Sequence, residues 1–226
     1  HGKVMEYAVQ MKRLLTSRRM DNMLRADKVA LDEIEKLARV IAAFHISAEK
    51  VFLPFDHLQA RKTFNDISGI RNFVEKQLGP PFVKIISQSI QWSNRFLTAH
   101  AKRIQQRIDL GFKRDVHGDL HSGNIFLYCN PVLFDCIEFN ERYRQIDVLY
   151  EVAFLCMDLE RFSKKSLSNA LLSTYTSYFP CFGEEEDEHI FVYFKCLRAN
   201  VRAKVHAISA SLIQDTDEIK RHSEEI

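Results

Sequence analysis

The residues best suited to chemistry lie in the run Val116-His117-Gly118-Asp119-Leu120-His121-Ser122-Gly123-Asn124-Ile125, which places a carboxylate, an amide and two imidazoles within residues 117–124. Two short apolar runs follow, Ile125-Phe126-Leu127-Tyr128 and Val132-Leu133-Phe134, on either side of Cys129-Asn130-Pro131. Apolar runs around such a turn predict a β-hairpin. A hairpin of this length returns Asp135 beside Asn124, so that one base and two oxygen ligands converge. Phosphoryl transfer needs that grouping. Mg²⁺ held through oxygen neutralises the charge on the transferred group, while a carboxylate accepts the proton of the attacking hydroxyl.

Each residue alone has a plainer reading. Asp119 is the type of residue that bonds its own backbone in a turn, and Asn124 the type that tolerates a left-handed conformation before a strand. His117 and His121 stand four apart, the spacing by which two imidazoles on one helix face hold zinc. Zinc is the poorer reading, because Gly118 disfavours helix by about 1 kcal/mol. The glutamate expected beside the first His is also missing, and the helical pattern does not resume until Ile146. Asp119, Asn124 and Asp135 taken together, with Ser122-Gly123 permitting close backbone approach, favour the joint functional reading.

The spacing H-x-D-x-x-x-x-N, then a hairpin, then Asp follows the catalytic segment of protein kinases in outline. The string HGDLHSGNI, with VLFDCIEF and the later DVLYEVAFL, resembles the aminoglycoside phosphotransferase and choline kinase group, in particular its uncharacterised bacterial branch. The resemblance implies that Asp119 is the catalytic base and that Asn124 and Asp135 hold Mg²⁺. It implies that His117 organises the loop and that Asp147 buttresses it by accepting backbone N–H bonds; a single His such as His121 is more often structural, so it is expected to shape the loop rather than to act as acid or base. Glu6-Tyr7-Ala8 would be the hinge that bonds the adenine of ATP. Glu138 is either a supporting partner of the metal site or a surface acid. Cys136-Ile137 follows Asp135 where a D-F-G segment would have its glycine, which argues against a protein-kinase-style regulatory switch.

The elements that must position these residues are mostly helical. Leu31, Ile34, Leu37, Ala38, Ile41 and Phe44 predict a helix capped by Asp27. Further helices are predicted over Ile67–Leu78, along Ile86–Ile108, over Ile146–Leu159, and from about Glu188 to Ser209. Lys3–Met11 alternates like a strand. The fold class expected is α+β, predominantly helical: the carboxy-terminal lobe of a kinase-like fold with a small catalytic-loop hairpin. Residues 1–11 would be hinge strand, 20–110 helical, 111–140 the catalytic loop and hairpin, and 146–226 helical, with the amino-terminal ATP lobe expected outside this chain. Asp147, Glu151 and Asp158 form one stripe, and Lys195, Arg198, Arg202 and His206 another. Pairing of Arg198 or Arg202 with Asp158 or Glu151 is expected across the two helices. The run Glu184–Glu188 reads as a helix amino terminus, where acids suit the dipole.

Composition narrows the partners. The chain has 226 residues, 46% of them hydrophobic, and only 7 glycines, with neither G-x-G-x-x-G nor G-x-x-x-x-G-K-[ST] present. Its 32 basic and 30 acidic residues balance too evenly for a nucleic-acid stripe or a membrane surface, so a small-molecule hydroxyl substrate is expected. Trp92, Asn94 and Arg95 are candidates to line its pocket, and an acidic rim would suit an amino-sugar or choline-like cation. Five cysteines without C-x-x-C spacing predict reduced, mostly buried thiols and a cytoplasmic protein. A second reading is a non-catalytic kinase-like module that binds a partner or metabolite; oligomeric state is not encoded in any motif found.

Overall fold

The computed structural model describes residues 13–224, with side chains through residue 212. The Lys3–Met11 strand, and with it Glu6, Tyr7 and Ala8, lies outside the described residues. The described chain is predominantly helical α+β. Its helices are α1 (Met20–Arg25), α2 (Leu31–Ser47), α3 (His57–Asn65), α4 (Arg71–Leu78), α5 (Pro80–Asp109), α6 (Glu141–Arg144), α7 (Val148–Arg161), α8 (Lys165–Tyr178) and α9 (Glu185–Glu224). Two antiparallel pairs complete it, β1 (Lys113–Asp115) with β4 (Gln145–Asp147) and β2 (Ile125–Phe126) with β3 (Val132–Leu133).

The main core follows from helical spacing. Ile34, Leu37, Ala38, Ile41 and Ala42 line one face of α2 and pack with α8 and with α7, whose Val148, Leu149, Val152, Leu155 and Leu159 are buried. Each such aliphatic side chain contributes about 1.5–3 kcal/mol on burial. A second core of Phe64, Leu97, Ile104, Ile190, Tyr193 and Leu197 joins α3, α5 and α9. Helix α5 begins at Pro80, where a missing N–H costs nothing, immediately after Gly79 at φ 90°.

Several boundaries differ from the sequence pattern. Asp27 does not cap α2; it adopts φ 54° beyond the end of α1 and pairs with Lys164. The N–H of Ala30 instead donates to Glu33 (3.0 Å). Ile146 belongs to β4 rather than to a helix, because residues 145–147 pair with 113–115 in a ladder too short to leave an alternating pattern. Helices α3 and α8 were not separately predicted. Cys129 and Cys136 are exposed, at the hairpin tip and just past Asp135, contrary to the expectation of mostly buried thiols. Burial pushes the Cys156 and Cys181 thiols up to about 12. Among the described residues no helix is long and apolar enough to cross a membrane.

Candidate active site

The loop bearing Asp119 is anchored at both ends. On its amino-terminal side, Val116 N–H donates to the Arg144 carbonyl (2.9 Å), extending the β1–β4 pairing. Arg114, in β1, donates to the carbonyls of His45, Ile46 and Ala48, tying the strand to the end of α2. On the other side, Ser122 donates through both its N–H and its hydroxyl to Asp158 in α7. The loop therefore lies against α7, fixed by β1 before it and by Asp158 after it.

Beneath the loop, Glu151 of α7 is fully buried and accepts the N–H groups of His117 (3.3 Å) and Gly118 (2.5 Å). Its other partner is His45 Nε2 at 2.7 Å, and His45 Nδ1 meets the Tyr175 hydroxyl at 2.8 Å. With Nε2–H given to the carboxylate, Nδ1 accepts from tyrosine, so one tautomer satisfies the buried chain. Burial alone would raise the Glu151 carboxyl, but the bond from His45 and the loop N–H outweigh it and hold it below its ordinary value.

Gly118 sits at φ 84°, and a Cβ there would lie 2.7 Å from the Tyr143 carbonyl oxygen. Both the conformation and the contact with fixed backbone require glycine. Gly118→Ala is expected to destabilise the protein by about 1–3 kcal/mol. A chemical denaturation curve with an unchanged midpoint would contradict this.

Asp119 is half-exposed, its side chain 41% accessible. Asn124 Nδ2 donates to both its carbonyl (3.1 Å) and its carboxylate (3.2 Å). His121 Nε2 lies 3.5 Å from the same carboxylate, while its Nδ1 accepts from Gly123 N–H at 3.0 Å. A Cβ on Gly123 would stand 2.7 Å from that imidazole, so the glycine makes room for the ring. Partial burial would raise the Asp119 carboxyl; the His121 bond and the fields of His121, Arg198 and His117 reverse this and lower it. His117 donates from Nε2 to the Phe134 carbonyl (2.9 Å), and its Nδ1 accepts from Asp119 N–H (3.3 Å).

The hairpin brings Asp135 to the same place. Its register pairs Ile125 with Leu133 and Phe126 with Val132, and the Phe134 N–H donates to the Asn124 carbonyl at 2.9 Å. Past Asp135, the Ile137 N–H returns to the His117 carbonyl at 3.0 Å. Asp135 thus crowns a short arch pinned on both sides to residues 117–124. It holds φ 63°, a left-handed conformation that a non-glycine residue adopts at a cost, and its side chain is exposed.

Other expected site residues stand differently. Asp147 does not buttress the loop: it caps α7 by accepting Leu149 N–H (2.8 Å) and takes both arms of Arg107 (2.7 and 2.9 Å). Glu151, one turn later, occupies the place expected of it. Glu138 is exposed, and among the described residues no bond joins it to Asn124 or Asp135. Arg198 donates to the Gly118 carbonyl and Arg202 meets His206, so neither pairs with Asp158 or Glu151. Trp92 stacks on Phe96 and Tyr193, Asn94 accepts from Arg61, and Arg95 reaches back to Gln91. Both ring nitrogens of His117 bond backbone and His121 Nδ1 accepts from Gly123, an arrangement unlike two imidazoles aimed from one helix face at a zinc. His45 and Tyr175 carry no local signal, because an imidazole and a phenol on distant helices share no pattern with the loop, whereas Arg198 is legible as a charge of α9 but not as a partner of the loop.

No protein-family model matches the chain, and no solved structure matches it. It is 27% identical over 211 residues to uncharacterised proteins of Mycobacterium bovis and of two Mycobacterium tuberculosis strains. The alignments cover 91% of this chain and 41% of each relative, so the chain spans less than half the length of the curated relatives it matches.

Proposed function

We propose that this chain carries the base and metal-binding part of an ATP-dependent phosphotransferase acting on a hydroxyl of a small molecule, akin to the aminoglycoside phosphotransferase group that its motifs resemble. The observation that carries the reading is the arch: Phe134 donates its N–H to the Asn124 carbonyl and Ile137 donates its N–H to the His117 carbonyl, so Asp135, eleven residues after Asn124, is held between two bonds to the segment that bears Asp119. Asp119, half-exposed and held ionised by its neighbours, accepts the hydroxyl proton of the acceptor. His121 and Asn124 fix the carboxylate, and Glu151 fixes the backbone from which it projects. A strained left-handed residue is retained where its geometry serves a site, and Asp135 fits that description.

The donor set suits Mg²⁺. The Asn124 amide nitrogen is committed to Asp119, which leaves its oxygen for a cation, and Asp135 adds a charged oxygen. Mg²⁺ bound with nucleotide phosphates needs only one or two such protein ligands and would supply charge neutralisation at the phosphates. Hinge contacts to adenine at Glu6, Tyr7 and Ala8, and the phosphate-covering lobe, belong to the same proposal. A cytoplasmic setting accords with it.

The test is Mg²⁺-dependent ATP binding by the full-length protein, followed by thermal shift or calorimetry. Asp135→Asn removes one charge-assisted ligand, so apparent affinity for MgATP is expected to fall about tenfold or more. Equal affinity in both proteins, or binding indifferent to chelator, would refute the metal assignment.

A further inference from the structure

We propose that the phosphate acceptor is a small hydroxylated anion, bearing a carboxylate or phosphate that Arg198 and Arg202 hold while its hydroxyl faces Asp119. The inference rests on the phosphotransferase reading and names the substrate class of that site. It also parts from the amino-sugar and choline-like cations to which the sequence resemblance points.

Arg198 is 7% exposed and has five N–H donors by its chemistry, of which Nη2 donates to the Gly118 carbonyl at 2.9 Å. Its Nε is buried without a hydrogen-bond partner. Its guanidinium lies over two rings of α7, 3.9 Å from the Tyr150 centroid and 4.6 Å from that of Phe154. These faces orient the group and shield it from water without neutralising it.

Asp119 lies in the field of Arg198 without forming an ion pair with it, and the acids of α7 are engaged elsewhere. Glu151 is taken by His45 and the loop, Asp158 by Ser122 and Arg161, and Glu160 by Lys195. Among the described residues Arg198 has no carboxylate partner. One helical turn further along α9, Arg202 contacts His206 and likewise has no acid partner among them. Within Glu184–Glu188, Asp187 turns inward to Arg103 and Arg107 and does not reach Arg198.

A buried guanidinium beside a catalytic carboxylate, short of partners, is completed by an anion with planar or tetrahedral oxygens. Arg202 lies about 6 Å further along the helix, which suits a molecule whose charged end reaches along α9 while its hydroxyl approaches Asp119. The acceptor oxygen then bonds to the γ-phosphorus of ATP as the bond from that phosphorus to the β,γ-bridging oxygen breaks. ADP leaves with the electron pair, and the hydroxyl proton passes to Asp119. A cationic acceptor would meet two arginines without ion-pair partners instead.

The experiment uses the full-length protein and matched acceptors: glycerol against glycerate and glycerol 3-phosphate, and glucose against gluconate, glucose 6-phosphate and glucosamine. Binding is read by calorimetry and phosphorylation by ADP release. Anions of one or both kinds are expected to bind in preference to the neutral and cationic analogues, and still to bind Asp119→Asn, which turns them over far more slowly. The carboxylate and phosphate arms identify which charged group is recognised. Arg202→Gln, which does not touch the loop, is expected to raise KM for the anionic acceptor about tenfold or more, and Arg198→Lys to do so more strongly. Preference for neutral or cationic acceptors, or a loss in both variants that falls equally on kcat for every acceptor, overturns the proposal while leaving the phosphotransferase reading standing. Anion binding without any Asp119-dependent ATP turnover overturns both.

Discussion

Replacing Asp119 with Asn is expected to lower kcat of the full-length protein about 10²- to 10⁴-fold, the range over which a positioned general base contributes. The substitution keeps the side chain's size, and its oxygen still faces the Asn124 amide and His121. What it removes is the capacity to take a proton. Because the Asp119 side chain is half-exposed and packs against no apolar core, the folded state should change little, within about 1 kcal/mol. The decisive measurement pairs a turnover assay with a denaturation curve on the same preparation. A large rate loss with an unchanged midpoint assigns the base. Unaltered turnover would remove Asp119 from the chemistry.

Much of this site was legible because its information is local. Gly118, Asp119, Gly123 and Asn124 fall within one short run, and the apolar runs on either side of Cys129-Asn130-Pro131 fix how far the chain travels before it returns. Hairpin arithmetic therefore places Asp135 near Asn124, and the Phe134–Asn124 bond realises it. The support of the loop was legible only as a stripe. Asp147, which caps α7, and Glu151, in its first turn, stand four apart, and the pattern does not say which carboxylate faces the loop. Arg107, from a helix forty residues earlier, captures Asp147, and that leaves Glu151 for the loop.

Charges on α9 misled for a similar reason. A basic stripe facing an acidic one suggests mutual pairing, but local partners take the acids first: Asp158 is engaged by Arg161 three residues on and by Ser122 of the loop. The acidic run at the start of α9 reads as a helix amino terminus, and Asp187 within it is fully buried. It accepts N–H bonds from Gly183 (2.8 Å) and Glu184 (3.2 Å) and a two-armed bond from Arg103. Only tertiary structure distinguishes the one acid that turns inward from its four neighbours.

Arg107→Met is expected to destabilise the protein by about 3–5 kcal/mol, a large part of the roughly 5–15 kcal/mol that holds a domain folded. Arg107 is fully buried, with Asp147 on two of its nitrogens, Asp187 at 3.1 Å, the Cys181 carbonyl at 2.7 Å and the Phe112 ring beneath it. Methionine replaces most of the packing volume and none of the charge, so Asp147 is left nearly buried without a cation. Asp187 keeps Arg103 and suffers less. A partial recovery in Arg107→Met with Asp147→Asn would show that the stranded carboxylate, rather than lost packing, is the cause. The same cluster predicts how stability depends on pH. Burial would raise the Asp187 carboxyl, but the Arg103 bond, the Gly183 N–H and the field of Arg107 outweigh it and hold it well below the ordinary carboxylate range. A carboxyl depressed on folding adds stability above its unfolded value of about 3.9, and that stability is lost as pH falls through the depressed value. Denaturation midpoints should therefore decline below about pH 4 in the wild type and decline less steeply in Asp187→Asn, which starts from a lower midpoint. Asp147 also caps the helix that carries Glu151, so the Arg107 variant should lose turnover under conditions where it is still folded; full kcat in that folded fraction would separate this cluster from the loop it supports.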